Sequence, residues 1–360
     1  MKIFFSFFIF IFLSITCTAQ DTAINPTDIP NGSLEEAGLN QDTIQHLMQL
    51  LNETKYRDFR GMVVIKDNKL VVEEYFNTFW RANILDIRSA GKSITALLLG
   101  IAIDQGLIKD VEQPVYDFFP KYKLNNPPTE AHLGIKIKHL LMMSSGMDAD
   151  SDDSNSPGNA GQWMGGDDWV GYALNVPMKF ESGTRWVYND ICAVLTGAII
   201  QEVSGKKLSE FAEEHLFDPL GIEEYYWYTG PKELTGGAGN LYFSAYDFAK
   251  FGLLVLNKGK YNGEQIVSEK WIGKMTQKWI DMPADYTASH YGFFWYIAEI
   301  EINGKMCEYF FASGNGGNYI FVVPDHDLAV ALTSSAYGPG HGHGRSRAIF
   351  RYILNSIIGK

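Results

Sequence analysis

Ser89 and Lys92 are the residues whose types and spacing could support nucleophilic chemistry. They stand three positions apart in the stretch Asp86-Ile-Arg-Ser-Ala-Gly-Lys-Ser93, and an apolar pattern of helical spacing follows. The sequence therefore predicts a helix that begins here and ends near Gly106, with the hydroxyl and the amine on one face. A hydroxyl in the first turn lies beside unpaired backbone N–H groups, which could stabilise an oxyanion on a bound substrate. The helix dipole would also disfavour a protonated Lys92.

A Ser-x-x-Lys tetrad is a weak signal by itself, because a chain of this length should contain about one by chance. The sequence has a second tetrad, Ser204-Gly-Lys-Lys207, at the end of a predicted helix over 191–203. There Gly205 is typical of a helix C-cap, and the lysines suit a solvated helix end. A helix-start serine beside a surface lysine is the ordinary alternative for Ser89 as well.

Tyr188-Asn-Asp190 is the second candidate motif, at the start of the apolar helical run that begins with Ile191. Asn and Asp are common helix N-caps, which would explain Asp190 without any function. Capping does not require a tyrosine two residues earlier. A phenol at Tyr188 could pass a proton between a serine, a lysine and a leaving group.

The third candidate is the Gly-rich stretch Ser313-Gly-Asn-Gly-Gly-Asn318 between two predicted strands. A hairpin end is the ordinary alternative, and a phosphate cradle is not favoured because a strand rather than a helix follows. Glycines also let backbone N–H groups approach a substrate oxygen closely. We therefore take the turn residues of this stretch as candidate substrate-binding residues: Asn315, Gly316, Gly317 and Asn318.

The predicted elements place strands near both ends of the chain. The strand and helix patterns outside the motifs are a helix over 39–54, strands over 61–66, 70–76, 291–300, 305–311, 319–323 and 328–333, and a closing helix over 345–358. This order predicts an α/β (α+β) fold in which an antiparallel sheet, built from both chain ends with flanking helices, carries an inserted and mostly helical region. We place the α/β part at about 33–100 and 285–360 and the helical part at about 101–284, with the site in the cleft between them.

Composition narrows the class of protein. The chain has 360 residues, 46% of them hydrophobic, and a net charge of −12 without a long basic run, which argues against a nucleic-acid partner. Metal-binding spacings such as CxxC and HExxH are absent, so no metal is predicted. The pair His341-Gly-His343 is more typical of a mobile loop. The acidic, Gly-rich segment 148–168 lacks the Gly and Glu of a calcium loop and is read as a solvated loop that could act as a lid.

The first residues predict export. Met1 to Ile15 carry one positive charge and then an apolar run shorter than the roughly 20 residues of a membrane span. We predict a signal peptide over 1–19, cleavage before Gln20, and a mature domain over 20–360 that is secreted or periplasmic. Lipidation of Cys17 is the less favoured alternative. No later stretch is apolar and long enough to span a bilayer, and pairing of Cys192 with Cys307 stays open beside two free thiols.

In this order, the three motifs resemble those of the serine β-lactamase and penicillin-binding-protein superfamily. The chain looks most like the class C β-lactamase branch, with its esterases, D-aminopeptidases and nylon-oligomer amidases, and the stretch from Gly236 to Gly252 also resembles that branch. The resemblance implies that Ser89 is the acylated nucleophile, Lys92 its base or proton relay, and Tyr188 the acid/base for the leaving group and the deacylating water. The backbone N–H groups of Ser89 and Asn318 would then hold the oxyanion.

Two departures from the family pattern matter. Asp190 stands where Asn is usual, and its carboxylate would favour a charged Lys92 and shift proton transfer to Tyr188. Asn315 stands where relatives carry a lysine that binds a substrate carboxylate, so penicillin-like acids lose an anchor. Arg345 is the first alternative group for such a carboxylate.

Together with the predicted signal peptide, the resemblance implies an exported serine hydrolase that cleaves an ester or amide bond of a small molecule or peptide. A serine-hydrolase mechanism needs no organic cofactor, and none is predicted. A catalytically silent protein that binds or senses peptidoglycan-type ligands on the same fold is one alternative. A true β-lactamase or D-Ala-D-Ala carboxypeptidase is another. The sequence leaves the oligomeric state open.

Overall fold

The computed structural model describes residues 28–122, 127–338 and 340–358. The predicted signal peptide and Cys17 lie outside these residues. The strands, in chain order, are β1 Phe59–Lys66, β2 Lys69–Tyr75, β3 Leu85–Asp86, β4 Tyr226–Trp227, β5 Leu241–Phe243, β6 Lys260–Tyr261, β7 Glu264–Gln265, β8 Ile280–Asp281, β9 His290–Tyr291, β10 Tyr296–Ile302, β11 Lys305–Gly314, β12 Asn318–Val323 and β13 Leu328–Ser334. The helices are α1 Gln41–Glu53, α2 Gly91–Asp104, α3 Glu130–Leu133, α4 Ile137–Leu141, α5 Ala160–Trp163, α6 Trp169–Leu174, α7 Ile191–Ser204, α8 Leu208–Ala212, α9 Ala245–Leu256, α10 Glu269–Met275 and α11 His341–Asn355.

The main sheet joins the two ends of the chain. Its eight strands are arranged in the order β2-β1-β13-β12-β11-β10-β9-β8, and every pairing is antiparallel. The central contact is β1 against β13, in which Val63 pairs with Ala331. At the β1–β2 hairpin both Asp67 and Asn68 have positive φ, as in the type I′ turns that match the twist of a hairpin. The predicted sheet from both chain ends is confirmed.

Helices cover both faces of this sheet. Phe321 of β12 stacks on Phe350 of α11, with ring centroids 4.0 Å apart. The next residue toward the chain start, Ile320, contacts Gly252 of α9. Because neighbouring side chains on a strand point to opposite faces, α11 and α9 lie on opposite sides of the sheet. The helical region between the sheet segments is centred on α2 and α7, which pack against each other.

Several predicted boundaries differ from the structure, and two of the differences are at the site side of the sheet and in the closing helix. The strand predicted over 291–300 is split into β9 and β10 by a tight turn, in which Phe294 has a positive φ and donates its backbone N–H to the Leu141 carbonyl. A side chain at Gly292 would lie 2.2 Å from the Met275 carbonyl oxygen, so the chain needs glycine there. The closing helix begins at His341 rather than near 345. None of the helices in the described parts of the chain could cross a bilayer.

Candidate active site

Ser89 lies in a tight turn, Arg88–Ala90, between β3 and the first residue of α2. The preceding Arg88 has φ +54°, a left-handed conformation that is uncommon outside glycine and often found at functional sites. The Asp86 carboxylate accepts a hydrogen bond from the Arg88 backbone N–H at 2.8 Å and so stabilises this turn. The predicted helix start is therefore correct to within the turn, and Lys92 is the second residue of α2.

Lys92 is buried, with 2% of its side chain exposed, and its ammonium has three acceptors. Its Nζ donates to Ser89 Oγ at 3.0 Å, to Asp190 Oδ1 at 2.6 Å and to the Ala238 carbonyl at 2.9 Å. Burial works against the charged form, but the charge of Asp190 and the adjacent Tyr188 outweigh it and raise the pKa of Lys92 above its ordinary value. The predicted effect of Asp190, which favours a charged Lys92, is confirmed in direction. Lys92 is a cation at neutral pH.

Asp190 is not the helix cap that its position at the start of α7 suggests. The neighbouring Asn189 does the capping, because its Oδ1 accepts a hydrogen bond from the Cys192 backbone N–H at 2.9 Å. The two carboxylate oxygens of Asp190 accept from Lys92 and, at 3.3 Å, from the Ser151 hydroxyl. The carboxylate is thus directed into the site, and its ordinary structural explanation does not hold.

Ser89 opens into a cleft with two compartments. The smaller, of about 210 Å³, is here called the aromatic pocket and is lined by Trp163, Met164, Trp169, Val194 and Tyr228. The larger, of about 450 Å³, is here called the tyrosine pocket and is lined by Tyr188, Tyr286, Tyr296, Tyr319 and Arg347. Ser89 and Asn315 line both compartments.

The second Ser-x-x-Lys tetrad has a different placement. Ser204 is the last residue of α7, and its hydroxyl accepts a hydrogen bond from the Lys206 backbone N–H at 3.3 Å. Lys207 pairs with Glu233 at 3.4 Å. Gly205 ends the helix in the left-handed conformation, as predicted. This tetrad therefore belongs to a helix end, while Ser89 and Lys92 are hydrogen-bonded to each other in the cleft.

In the Gly-rich turn, Asn315 rather than Asn318 faces the cleft. Asn318 is completely buried, and its side chain donates to the Asn315 carbonyl at 2.9 Å and accepts from the Ser334 backbone N–H at 2.9 Å. Gly316 and Gly317 have positive φ and pack against Tyr337 and the start of α11. The backbone N–H groups of Ser89 and Asn315 have no acceptor among the described residues. Both could donate to an oxyanion, so Asn315 joins Ser89 as a candidate donor, and the role of the Asn318 backbone N–H stays a prediction.

The arginine of α11 that lines the cleft is Arg347 and not Arg345, the residue named from the sequence. Arg345 is an internal residue, since it pairs with Asp58 and donates to Ser334 Oγ at 2.6 Å. Arg347 lines the tyrosine pocket and makes no ion pair within the described part of the chain. His343 lines the same pocket, with its Nδ1 2.8 Å from the Tyr319 hydroxyl. The spacing of His343 and Arg347, four residues apart on one helix, was the available signal.

The remaining candidate residues can now be placed. Trp163 and Trp169 line the aromatic pocket, whereas Trp186 packs in the core against Tyr286 and Tyr291. Cys192 and Cys307 are both buried and free. His341 does not join His343, because its Nε2 lies 2.8 Å from Asp58 Oδ2. Over residues 28–122, 127–338 and 340–358 there is no cluster of three or more metal-ligating side chains.

The sequence of this chain matches the family described as Beta-lactamase over residues 41–352. An uncharacterized protein of Alkalihalophilus pseudofirmus is 24% identical over 319 residues, which cover 78% of this chain and 85% of that protein. Among solved structures, a candidate 6-aminohexanoate-dimer hydrolase from Bacillus anthracis has a TM-score of 0.71 at 19% identity, over 91% of this chain and 87% of that one. A family VIII carboxylesterase has a TM-score of 0.65 at 17% identity, over 90% of this chain and 99% of that one. The predicted superfamily resemblance and fold are confirmed.

Substitution of Asp190 should change the ionisation of Lys92. In Asp190→Asn, burial of the ammonium is no longer opposed by a carboxylate, so we expect the pKa of Lys92 to fall. The rate at which a fluorophosphonate labels Ser89 can be followed between about pH 6 and pH 10. The change in this rate that accompanies deprotonation of Lys92 should occur at a lower pH than in the unmodified protein. The Lys92–Asp190 ion pair contributes its full stabilisation at any pH below the ordinary lysine pKa, and therefore at neutral pH. The variant should lose about 1–3 kcal/mol of unfolding free energy there. This range is lower than for a fully buried pair because 23% of the Asp190 side chain is exposed.

Ser151→Ala is the matched control, because it removes a hydrogen bond from Asp190 but leaves the carboxylate charge in place. Its pH profile should stay close to that of the unmodified protein. Identical profiles for all three proteins would show that Asp190 does not set the charge of Lys92.

Proposed function

This chain belongs to the beta-lactamase family, and we propose that it is a serine hydrolase that cleaves an ester or amide through an acyl-enzyme on Ser89. The observation that carries the proposal is the hydrogen-bonded series in the cleft, in which Lys92 Nζ lies 3.0 Å from Ser89 Oγ and 2.6 Å from Asp190. A nucleophile held by an oriented cation, beside a tyrosine and two free backbone donors, is suited to acyl transfer.

In the proposed acylation step, Ser89 Oγ bonds to the substrate carbonyl carbon. The serine proton passes to the phenol oxygen of Tyr188, and the phenol proton passes to the leaving atom as its bond to carbon breaks. The carbonyl oxygen is negatively charged in the tetrahedral intermediate, where the N–H groups of Ser89 and Asn315 would donate to it. In the second step, water attacks the acyl carbon and gives its proton to the phenol oxygen of Tyr188. The phenol proton passes to Ser89 Oγ as its bond to the acyl carbon breaks, and the acid is released.

Lys92 acts in this scheme as a fixed cation rather than as the base. All three of its N–H bonds are directed at acceptors, and Asp190 favours its protonated form. Its positive charge lies 4.9 Å from the Tyr188 ring centroid, and would stabilise negative charge developing on the serine or phenol oxygen. This assignment of roles follows from Asp190 in place of the usual Asn.

Acidic substrates are the second candidate class. The observation that favours them is Arg347, a cation in the tyrosine pocket that makes no ion pair with another described residue. A guanidinium can bind a carboxylate through two parallel hydrogen bonds. A β-lactamase or a D-Ala-D-Ala carboxypeptidase would use such a contact, whereas the catalytically silent alternative does not explain why Ser89, Lys92 and Tyr188 are all present.

We also propose that the protein is exported. The proposal is supported by the one-charge, apolar stretch at residues 1–15, which is followed by small residues before Gln20. Release of the mature chain from a precursor, followed by N-terminal sequencing, would test it.

Covalent labelling tests the nucleophile. A fluorophosphonate should add a phosphonyl group to Ser89 with loss of fluoride, because the hydroxyl is exposed to the cleft and hydrogen-bonded to Lys92. Peptide mass spectrometry identifies the labelled residue. Ser89→Ala should not be labelled, and Ser204→Ala, which alters the other Ser-x-x-Lys tetrad, should be labelled like the unmodified protein. Equal labelling of Ser89→Ala would exclude this nucleophile.

Removal of the phenol oxygen tests Tyr188. Tyr188→Phe should reduce kcat for a p-nitrophenyl ester by about two to four orders of magnitude, the range of a general acid-base contribution, and leave the fold intact. Tyr172→Phe is the control, since it loses only the hydrogen bond to the Pro157 carbonyl, 2.9 Å long, near the protein surface. A near-normal kcat in Tyr188→Phe would remove this residue from the mechanism.

Substrate charge tests Asn315 and Arg347. Neutral esters should have higher kcat/KM than cephalosporins, because Asn315 offers a carboxylate only a neutral amide. The comparison is p-nitrophenyl butyrate against a chromogenic cephalosporin. Asn315→Lys should raise the cephalosporin-to-ester ratio by about tenfold or more, and Arg347→Gln should lower it. Preference of the unmodified enzyme for the cephalosporin would contradict the neutral-substrate assignment and leave Ser89 chemistry unaffected.

A further inference from the structure

Aromatic and aliphatic side chains form the wall of the aromatic pocket beside Ser89, and the polar residues Arg88, Asp190, Asn240 and Asn315 line the rest of it. The indole N–H of Trp163 donates to the Gly158 carbonyl at 3.2 Å, and that of Trp169 donates to the Met164 carbonyl at 3.2 Å. Both polar atoms are thus satisfied within the protein, and the two rings meet edge to face with centroids 5.4 Å apart. Val194 of α7 lines the same pocket. These walls suit a hydrocarbon group rather than a polar one.

The position of Trp169 is fixed by two glycines. A methyl group at Gly230 would lie 2.5 Å from the Trp169 ring, and one at Gly236 would lie 3.1 Å from it. The ring is therefore in direct contact with the backbone of the 230–236 segment and is 95% buried, since its exposed fraction is 5%. Pocket width on this side is set by packing, and not by a side chain that can move aside.

The charged groups at the aromatic pocket are already neutralised. Arg88 pairs with the buried Asp86, with Nε 3.1 Å from Oδ2, and its guanidinium stacks over the Tyr337 ring at 4.3 Å. Asp190, which also lines the pocket, pairs with Lys92. An anionic group entering this compartment would lose its hydration without meeting a free cation.

The location of Tyr188 distinguishes the two sides of the scissile bond. Tyr188 lines the tyrosine pocket and not the aromatic pocket. In the proposed mechanism it gives its proton to the leaving atom, so the leaving group has to lie on its side of Ser89. The acyl group is then directed to the opposite compartment.

We propose that the aromatic pocket is the acyl site and that the preferred substrates carry an uncharged acyl group about the size of one six-membered ring. This assignment rests on the proposed serine-hydrolase function and specifies its substrate class. An apolar cavity of about 150 Å³ accommodates benzene, so a compartment of about 210 Å³ has room for a ring and a linking methylene.

Esters with one leaving group and different acyl groups test the assignment. The ratio of kcat/KM for p-nitrophenyl phenylacetate to that for p-nitrophenyl acetate should be about tenfold or greater, the size expected for burying one ring. Val194→Phe fills the pocket and should lower this ratio at least about fivefold. Tyr228→Ala opens the rim and should lower it as well; Tyr228 is 42% exposed, so this variant is expected to fold.

Tyr226→Ala is the matched control. Tyr226 is 51% exposed, lies two residues before Tyr228 and lines neither compartment at Ser89, so the ratio should not change. A ratio near one, or equal ratios in Val194→Phe and the unmodified enzyme, would overturn the acyl-site assignment while Ser89 labelling still supports the hydrolase. A change in leaving-group preference in Tyr228→Ala, measured with phenyl acetate against ethyl acetate, would show that the two sides are exchanged. Absence of both ester hydrolysis and Ser89 labelling would overturn the proposed function together with this assignment.

Discussion

The organisation of the site depends on one buried ammonium. Lys92 is surrounded by protein, and moving such a charge out of water has a desolvation cost of several kcal/mol, which only close partners of opposite charge or polarity can offset. Its three acceptors come from different segments: the turn at Ser89, the start of α7 at Asp190 and the strand-entry segment at Ala238. Ser151 adds the loop 148–168 through Asp190. Because the buried charge needs these partners, four parts of the chain are held in fixed positions around Lys92.

A second constraint is the absence of space between β11 and the Ser89 turn. A side chain at Gly314 would lie 2.0 Å from the Ile87 carbonyl oxygen, and one at Gly239 would lie 3.0 Å from the Arg88 carbonyl oxygen. Glycine at these two positions lets two backbone segments approach the turn from both sides. Asn315 follows Gly314 directly, so the approach of β11 is what brings it to the mouth of both compartments.

Much of the candidate site could be predicted because certain residue types, at fixed separations along the chain, indicate a nucleophile and its proton-transfer partners. Ser89, Lys92 and Tyr188 were chosen in this way and lie together at the cleft, and the sheet from both chain ends was predicted too. Choices between neighbouring residues of similar chemistry could not be predicted. Asn189 and Asp190 are both suitable N-caps for α7. Which of them caps the helix and which binds Lys92 depends on where Lys92 lies in the folded chain. Arg345 and Arg347 are two residues apart on a helix and therefore point in nearly opposite directions. Arg345 forms an internal ion pair, whereas Arg347 lines the cleft, so a prediction that is wrong by two positions names a residue with a different role.

The pairing of β1 with β13 has a consequence for how the chain acquires its structure. β1 and β2 form a local hairpin, and β10 to β13 pair in sequence, but the contact that unites them joins residues near opposite ends of the chain. Such a long loop closure is slow compared with local pairing. Until β13 is present, β1 and β12 each have an unpaired edge next to an apolar face. A chain that ends before residue 328 lacks β13, so the edges of β1 and β12 stay unpaired. We expect such a chain to associate with other copies through these edges instead of folding alone.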